Sequence, residues 1–383
     1  MKFLHLADLH LGKSVNEFSM IRDQEYILDH LFTLAKDHQA DAVLIAGDVY
    51  DRSIPSEEAV RLLDRFLSRL AQENISVLMI SGNHDSDERL NFASSLLSSR
   101  KVYIAGLYTG SVPKITLEDE HGAVDFWMLP FVKASLVGHY LPEADVSSYD
   151  SAIRAALSCC DLDPERRNVL LAHQFVTGKD ADPETAGSEN QAAEAVGTLE
   201  KVGWDAFDAF DYVALGHIHS PQSLGRREVR YSGSPLKYSL SEVLKDKSVP
   251  LVTLGEKGRV DIELLPLVPL RDMRHIKGRL EDLTRESLAS EDYIYATLTD
   301  EDVIPDAIGH LRAYYPNIMK LDYANSHTRE LMEFSFDDRA EKIGFTELLG
   351  DFYQKILGGT PSEEEWTVLK ETAGEAGIIY ETD

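Results

Sequence analysis

Residues 42–85 read AVLIAGDVYDRSIPSEEAVRLLDRFLSRLAQENISVLMISGNHD, and the fold turns on this stretch. Its first five residues are an apolar run of the length expected for a buried strand. Gly47, Asp48 and Asp51 follow in a polar loop. Residues 56–73 place Ala59, Leu62, Leu63, Phe66 and Leu70 on one helical stripe. Residues 76–81 form another apolar strand, which ends at Gly82-Asn83-His84-Asp85. Working outward, residues 2–6 predict a strand and residues 24–39 a helix, through Tyr26, Ile27, Leu31, Leu34 and Ala35. The resulting βαβαβ order predicts an α/β layered fold with helices packed on a sheet.

Downstream, strands are expected at 124–129, 168–172, 212–215, 230–232 and 251–254, with fewer helices between them. That spacing predicts a second sheet stacked on the first. The string LPLVPLRDMR around Pro266 and Pro269 reads as a linker or crossover. Residues 293–298, 305–315 and 319–323 then read as strand, helix and strand, a small α/β module. From residue 334 the chain is acidic and helix-prone, with Phe345, Leu348, Leu349, Phe352, Ile356 and Leu357 among its apolar residues. Their spacing makes one apolar face, suited either to docking on a partner or to packing on the body.

At 383 residues the chain predicts two or three domains. It lacks any run of about 18 apolar residues, so no membrane span is expected. Asp8 and His10 interrupt the apolar start, which reads as a strand and not a signal peptide. The only cysteines are the adjacent Cys159 and Cys160, which cannot build a disulfide framework. A reducing, cytoplasmic location is the expectation. The net charge of −28 runs against a free-standing nucleic-acid binder, whose phosphate contacts come from Lys and Arg. Either the acid lies away from an active face, or a partner supplies the grip, or the substrate is a small phosphoester.

Five short segments each follow a predicted strand: Asp8-Leu9-His10, Gly47-Asp48 with Asp51, Gly82-Asn83-His84-Asp85, His173, and Gly216-His217-Ile218-His219. Loops at strand carboxyl ends gather at one edge of an α/β sheet, where residues distant in sequence converge. Carboxylate, imidazole and amide oxygen, without thiolate, suit Mn²⁺ or a similar octahedral ion better than a structural zinc. Seven such groups exceed the needs of one ion and suggest two ions sharing a carboxylate, roughly 3.5–4 Å apart. Taken singly, each segment has a plainer use. Asp48 can cap the next helix, GNHD can be a turn, and His173 can be a satisfied polar residue. GHIH is more specific, because alternate residues of an extended segment face the same way.

The order D-x-H, G-D-x-x-D, G-N-H-D, H, G-H-x-H resembles the calcineurin-like metallophosphoesterase superfamily. The strings HLADLHLGK, LIAGDVYDRSIPS, MISGNHDSDERL, YVALGHIHSPQ and YSGSP resemble, within it, the SbcD family of bacterial nuclease subunits, related to the Mre-type DNA repair nucleases. The resemblance is strong over residues 1–260 and rests on segment order beyond. It implies a four-layer αββα sandwich over residues 1–265, a small α/β capping domain over 270–330, and a C-terminal helical segment over 335–383. It implies a metal-dependent nuclease, a 3′→5′ exonuclease on duplex ends and an endonuclease on hairpins or single strands, serving DNA recombination, repair and replication.

By the same resemblance Asp8, His10 and His219 would hold one Mn²⁺ or Mg²⁺ ion, and Asn83, His173 and His217 the other, with Asp48 bridging. His84 would act on the phosphate and leaving oxygen as a general acid, with water as the nucleophile. Asp85 would orient an imidazole or cap a helix over 86–99, and Asp51 is a second candidate for a supporting role. Lys13, Arg52 and Arg89 would meet DNA phosphates or form local ion pairs. The partners implied are DNA, an SMC-like ATPase of the SbcC type docked by the C-terminal segment, and a second copy of the chain. Candidate dimer stretches are 62–70 and 90–97, which ordinary core packing explains equally well. A phosphoesterase for a small nucleotide or cyclic nucleotide is the alternative. A non-enzymatic scaffold would show missing ligands, and all seven are in place.

Overall fold

The computed structural model describes residues 1–178, 182–185, 201–302, 304–325, 350, 361–362 and 365–369. The apolar face built on Phe345, Leu348, Leu349, Phe352, Ile356 and Leu357 lies outside these residues, as does most of 335–383. In chain order the longer strands of the first half are β1 Lys2–Leu6, β2 Ala42–Ala46, β3 Ser76–Ile80, β4 Val102–Ala105, β5 Lys114–Asp119, β6 Gly122–Leu129 and β7 Arg167–His173. Then come β8 Tyr212–Gly216, β9 Gln222–Leu224, β10 Arg226–Tyr231, β11 Ser248–Leu254, β12 Val260–Pro266, β13 Met273–Gly278, β14 Tyr293–Leu298 and β15 Ile318–Tyr323.

Two six-stranded sheets dominate, with orders β12-β11-β1-β2-β3-β4 and β9-β10-β8-β7-β6-β5. In the first, β1 to β4 run parallel, β11 pairs antiparallel with β1, and β12 pairs antiparallel with β11. In the second, β6, β7, β8 and β10 run parallel, flanked by antiparallel β5 and β9. Every residue of β2, β3 and β7 is buried because both strand faces are covered, hence the continuous apolar runs 42–46, 77–80 and 169–172 within them. Val43, Ile45, Val77 and Met79 pack outward with Ile27, Leu31, Leu63 and Phe66 of the helices α1 Ile21–Asp37 and α2 Glu57–Gln72. Phe3, Leu44, Ala46, Leu78 and Ile80 pack inward with Phe126, Met128, Leu171, Tyr212 and Ala214 of the second sheet. That sheet's outer face carries the helices α3 Ala134–Tyr140 and α4 Tyr149–Ser158. The layers are helix, sheet, sheet, helix, as the resemblance implied.

Ser56 caps α2 by accepting a hydrogen bond from the Ala59 amide, with Glu57 and Glu58 in the first turn. The helix expected over 86–99 is instead two single turns, Asp87–Leu90 and Ser94–Leu97, separated where Ala93 takes a left-handed conformation of φ 60°. Pro266 ends β12 instead of lying in a linker. A further sheet has the order β13-β14-β15, with the helix α5 Ala307–Arg312 between its last two strands in the chain. The chain divides into two compact units: Met1–Ile276 with Leu283–Ala296 and Ile308–Leu321, and Lys277–Asp282 with Thr297–Ala307 and Asp322–Asp383. No helix among the described residues is long and apolar enough to cross a membrane.

Candidate metal centre

The loops after β1 and β2 are joined by backbone bonds: Asp8 N donates to Gly47 O at 3.1 Å, His10 N to Asp48 O at 2.9 Å and Leu11 N to Val49 O at 2.9 Å. This pairing holds Asp8, His10 and Asp48 at φ of 54°, 44° and 47°, and His217 stands at 101°. Non-glycine residues rarely take such angles, and they persist where surrounding bonds over-determine them. At Gly47 the turn leaves no room for a side chain, since a Cβ would lie 2.3 Å from His173 Nδ1.

Asp8 and Asp48 are used alike. Both are buried, and each gives one oxygen to a backbone amide of another loop. Asp8 Oδ1 accepts from His217 N at 2.9 Å, and Asp48 Oδ1 accepts from His84 N at 2.9 Å. The other oxygens turn toward the imidazoles. Asp48 Oδ2 lies 3.6 Å from His10 Nε2 and 3.5 Å from His173 Nε2. His10 Nε2 is 3.0 Å from His219 Nε2. Asn83 Oδ1 is 3.0 Å from both His173 Nε2 and His217 Nδ1. Ligand atoms of Asp8, His10 and His219 lie within 4.8 Å of one another, as do those of Asp8, Asp48 and His173, and of His10, Asp48 and His84.

This donor set fits divalent cations. Asp8 Oδ2 is buried without a hydrogen-bond partner, which is costly unless a cation meets it. His10 Nε2 and His219 Nε2, 3.0 Å apart, can share a proton in an N–H···N bond or turn both lone pairs to one cation. Burial holds His10 well below its ordinary range, and burial together with His173 takes His217 down to about 3, so both are neutral donors. Burial pushes Asp48 up, but His173 outweighs it and keeps the carboxylate ionised. His173 Nδ1 donates to Ala46 O at 2.8 Å, which fixes the ring and turns Nε2 to the centre.

Residues 1–221 match the calcineurin-like phosphoesterase family, and residues 269–356 match a family described as the type 5 capsule protein repressor C-terminal domain. The SbcD subunit of the SbcCD nuclease from Staphylococcus epidermidis is 35% identical over 327 residues, covering 84% of this chain and 85% of the relative. The corresponding SbcD protein from Staphylococcus saprophyticus is 32% identical over 369 residues, 94% of each chain. The chain belongs to the calcineurin-like phosphoesterases, in the SbcD family. A crystal structure of a dimetal phosphatase from Danio rerio aligns with 70% of this chain and 96% of its own, at 13% identity and a TM-score of 0.40.

Within this SbcD-family site the other expected residues divide. His84 Nδ1 faces Asp51 O at 2.9 Å and its Nε2 points at Asp48 Oδ2 from 4.0 Å. Asp51 accepts from Lys13 Nζ at 2.7 Å and stands 3.6 Å from His10 Nδ1, so Lys13 is held in a local ion pair. Arg52 is exposed, 3.7 Å from Asp51, and Arg89 donates to Ser53 O at 3.2 Å. Asp85 neither touches an imidazole nor caps a helix. Its carboxylate accepts from Gly82 N, Val49 N and Tyr50 N at 2.9, 3.1 and 2.8 Å, and Ser86 stands at the N-cap of the short turn that follows. Burial and Asp48 push it up to about 7 despite those amides. His5 is buried under the site, 2.9 Å from Tyr212 Oη and 3.2 Å from Leu215 O.

The connection between β10 and β11 contributes residues that the sequence reading missed. Tyr238 sets its ring edge-on to His10 and His219, at 5.8 and 6.1 Å, and donates to Leu9 O at 2.7 Å. Gln24 on α1 ties the same loops by donating to His10 O at 2.7 Å. Glu242 is fully buried 3.9 Å from His219 Nδ1. Burial pushes Glu242 up, but His219 and Lys247 outweigh it and hold the carboxyl at about 2. These residues match no ligand motif. Only YSGSP at the start of the connection marked it in the sequence.

Proposed function

We propose that this chain is the metal-dependent nuclease subunit of an SbcCD-type complex, hydrolysing DNA phosphodiesters at two Mn²⁺ ions, with Mg²⁺ as the alternative. Asp48 is the observation that supports this most directly: its Oδ2 stands 3.6 and 3.5 Å from imidazoles of two ligand groups, a bridging position. Asp8, His10 and His219 form one group, and Asn83, His173 and His217 the other. Bound divalent ions would supply Lewis-acid polarisation of the phosphate and activate water for in-line attack. The chain's own part is orientation and proton transfer. As the imidazolium, His84 would donate Nδ1–H to Asp51 O and turn Nε2–H toward the centre, where it could protonate the leaving oxygen. The finer reading is 3′→5′ exonuclease and hairpin endonuclease activity, an SMC-like ATPase partner bound through 335–383, a capping domain over 270–330 after the body at 1–265, and a homodimer in the cytoplasm.

The charge of −28 favours a second reading, a phosphoesterase for small nucleotides. Purified chain with Mn²⁺, a labelled duplex end and a labelled hairpin separates the two. Cleavage of bis-p-nitrophenyl phosphate without any DNA cleavage, even with the ATPase subunit present, would refute the nuclease reading. His84→Gln is expected to abolish cleavage and to keep the wild-type metal content by elemental analysis. Loss of metal in that variant would make His84 a ligand, a position compatible with its place beside His10 and Asp48.

A further inference from the structure

The connection between β10 and β11 carries a buried ion pair with no part in the ligand set. Glu242 is 0% exposed and Lys247 6% exposed, and their Oε2 and Nζ are 2.5 Å apart. Burying both charges is expensive, and truncating one alone leaves an uncompensated charge in the interior. A hydrophobic pair would fill such a space at least as stably, so the pair invites a use beyond packing. Each member of the pair also reaches His219. Lys247 Nζ donates to His219 O at 2.9 Å and to Ser234 Oγ at 2.8 Å. Glu242 Oε1 accepts from Tyr238 N at 3.1 Å and lies 3.9 Å from His219 Nδ1. The lysine holds the backbone of His219, and the carboxylate faces the ring nitrogen turned away from the centre. His219 Nε2, on the other side, is 3.0 Å from His10 Nε2.

We propose that Glu242 is a positioning residue for His219, and that Lys247 holds the Glu242 carboxylate in place. A carboxylate facing Nδ1 favours the tautomer with its proton there and leaves the Nε2 lone pair directed at the cation. The same contact makes the imidazole a stronger donor. Tyr238 closes the arrangement, since its amide is bound by Glu242 while its ring abuts His219. This inference rests on the reading of His219 as a ligand.

The test uses the full chain and Mn²⁺ titration calorimetry, with thermal melting of the metal-free protein alongside. Glu242→Gln keeps the shape and is expected to weaken the affected ion roughly 10- to 100-fold, leaving the other ion unchanged. Glu242→Gln with Lys247→Met removes both charges together, which protects folding, and is expected to show the same loss. The absorption spectrum of Co²⁺-loaded protein is expected to shift in both variants. His219→Asn is the reference. If it leaves Mn²⁺ affinity intact, the ligand reading itself fails. If it weakens binding while both Glu242 variants bind as wild type, the positioning proposal is overturned and the ligand reading stands. A lowered melting temperature with unchanged Mn²⁺ affinity and Co²⁺ spectrum would reduce the pair to a structural role and overturn the proposal as well.

Discussion

Asp85 carries no ligand duty, yet three amides from two loops end on its carboxylate. An alanine there would strand buried donors, each costing about 1–3 kcal/mol. Asp85→Ala is therefore expected to lower unfolding stability by at least about 2 kcal/mol in urea and to weaken Mn²⁺ binding indirectly. Asp85→Asn should be milder, since an amide oxygen still accepts from part of the set. The seven proposed ligands were legible as a set because each sits at the last position of a strand, as His173 does, or within four residues beyond one. Asp85 was misread because accepting from amides depends on loop conformation, which spacing does not encode. Glu242 and Lys247 escaped for a related reason: an acid and a base five residues apart in SEVLKDK look like ordinary surface charges until the loop buries them.

At the scale of elements, the two sheets come into close contact at the ends of β2 and β8. A Cβ on Gly216 would come within 1.9 Å of Ala46 O, the same carbonyl that orients His173. Gly216→Ala must push that carbonyl away. The expected result is an overpacking loss of about 1–3 kcal/mol in a denaturant melt, accompanied by reduced Mn²⁺ affinity. Strands buried on both faces were legible from their continuous apolar runs. The edge strand β5, Lys114–Asp119, was not, because its exposed and half-buried residues alternate without a strong apolar signal. The helix expected over 86–99 failed at Ala93, where a left-handed residue breaks what the apolar pattern alone allows to continue.

At the scale of the molecule, charge and closure matter. Asp119 ends β5 and binds Arg167 at the start of β7 and the Met1 amino group beside β1, tying three strands of two sheets. Burial pushes its carboxyl up, but Arg167 and the amino group outweigh this and hold it well below its ordinary value. A depressed carboxyl contributes stability that is present above the unfolded value of about 3.9 and is lost as pH falls below it. Asp119→Asn should thus be less stable than wild type at pH 7, with the gap narrowing in urea melts at pH 4 and 3. If the chain binds DNA as proposed, its acidic balance predicts a shallow salt dependence for the isolated chain and a steeper one with the proposed partner subunit, measured by fluorescence anisotropy.

The proposed metal centre would draw Asp8, His10, Asp48 and Asn83 from the loops of one sheet and His173, His217 and His219 from the other. An ion held by both would act as a rivet through the sandwich. At a free Mn²⁺ concentration 100 times its dissociation constant, linkage alone would add about 2.7 kcal/mol to the unfolding free energy. Hydrogen exchange at β2 and β8 would then slow on metal addition, and a chelator would loosen the seam between the sheets before it disturbed the helices outside them.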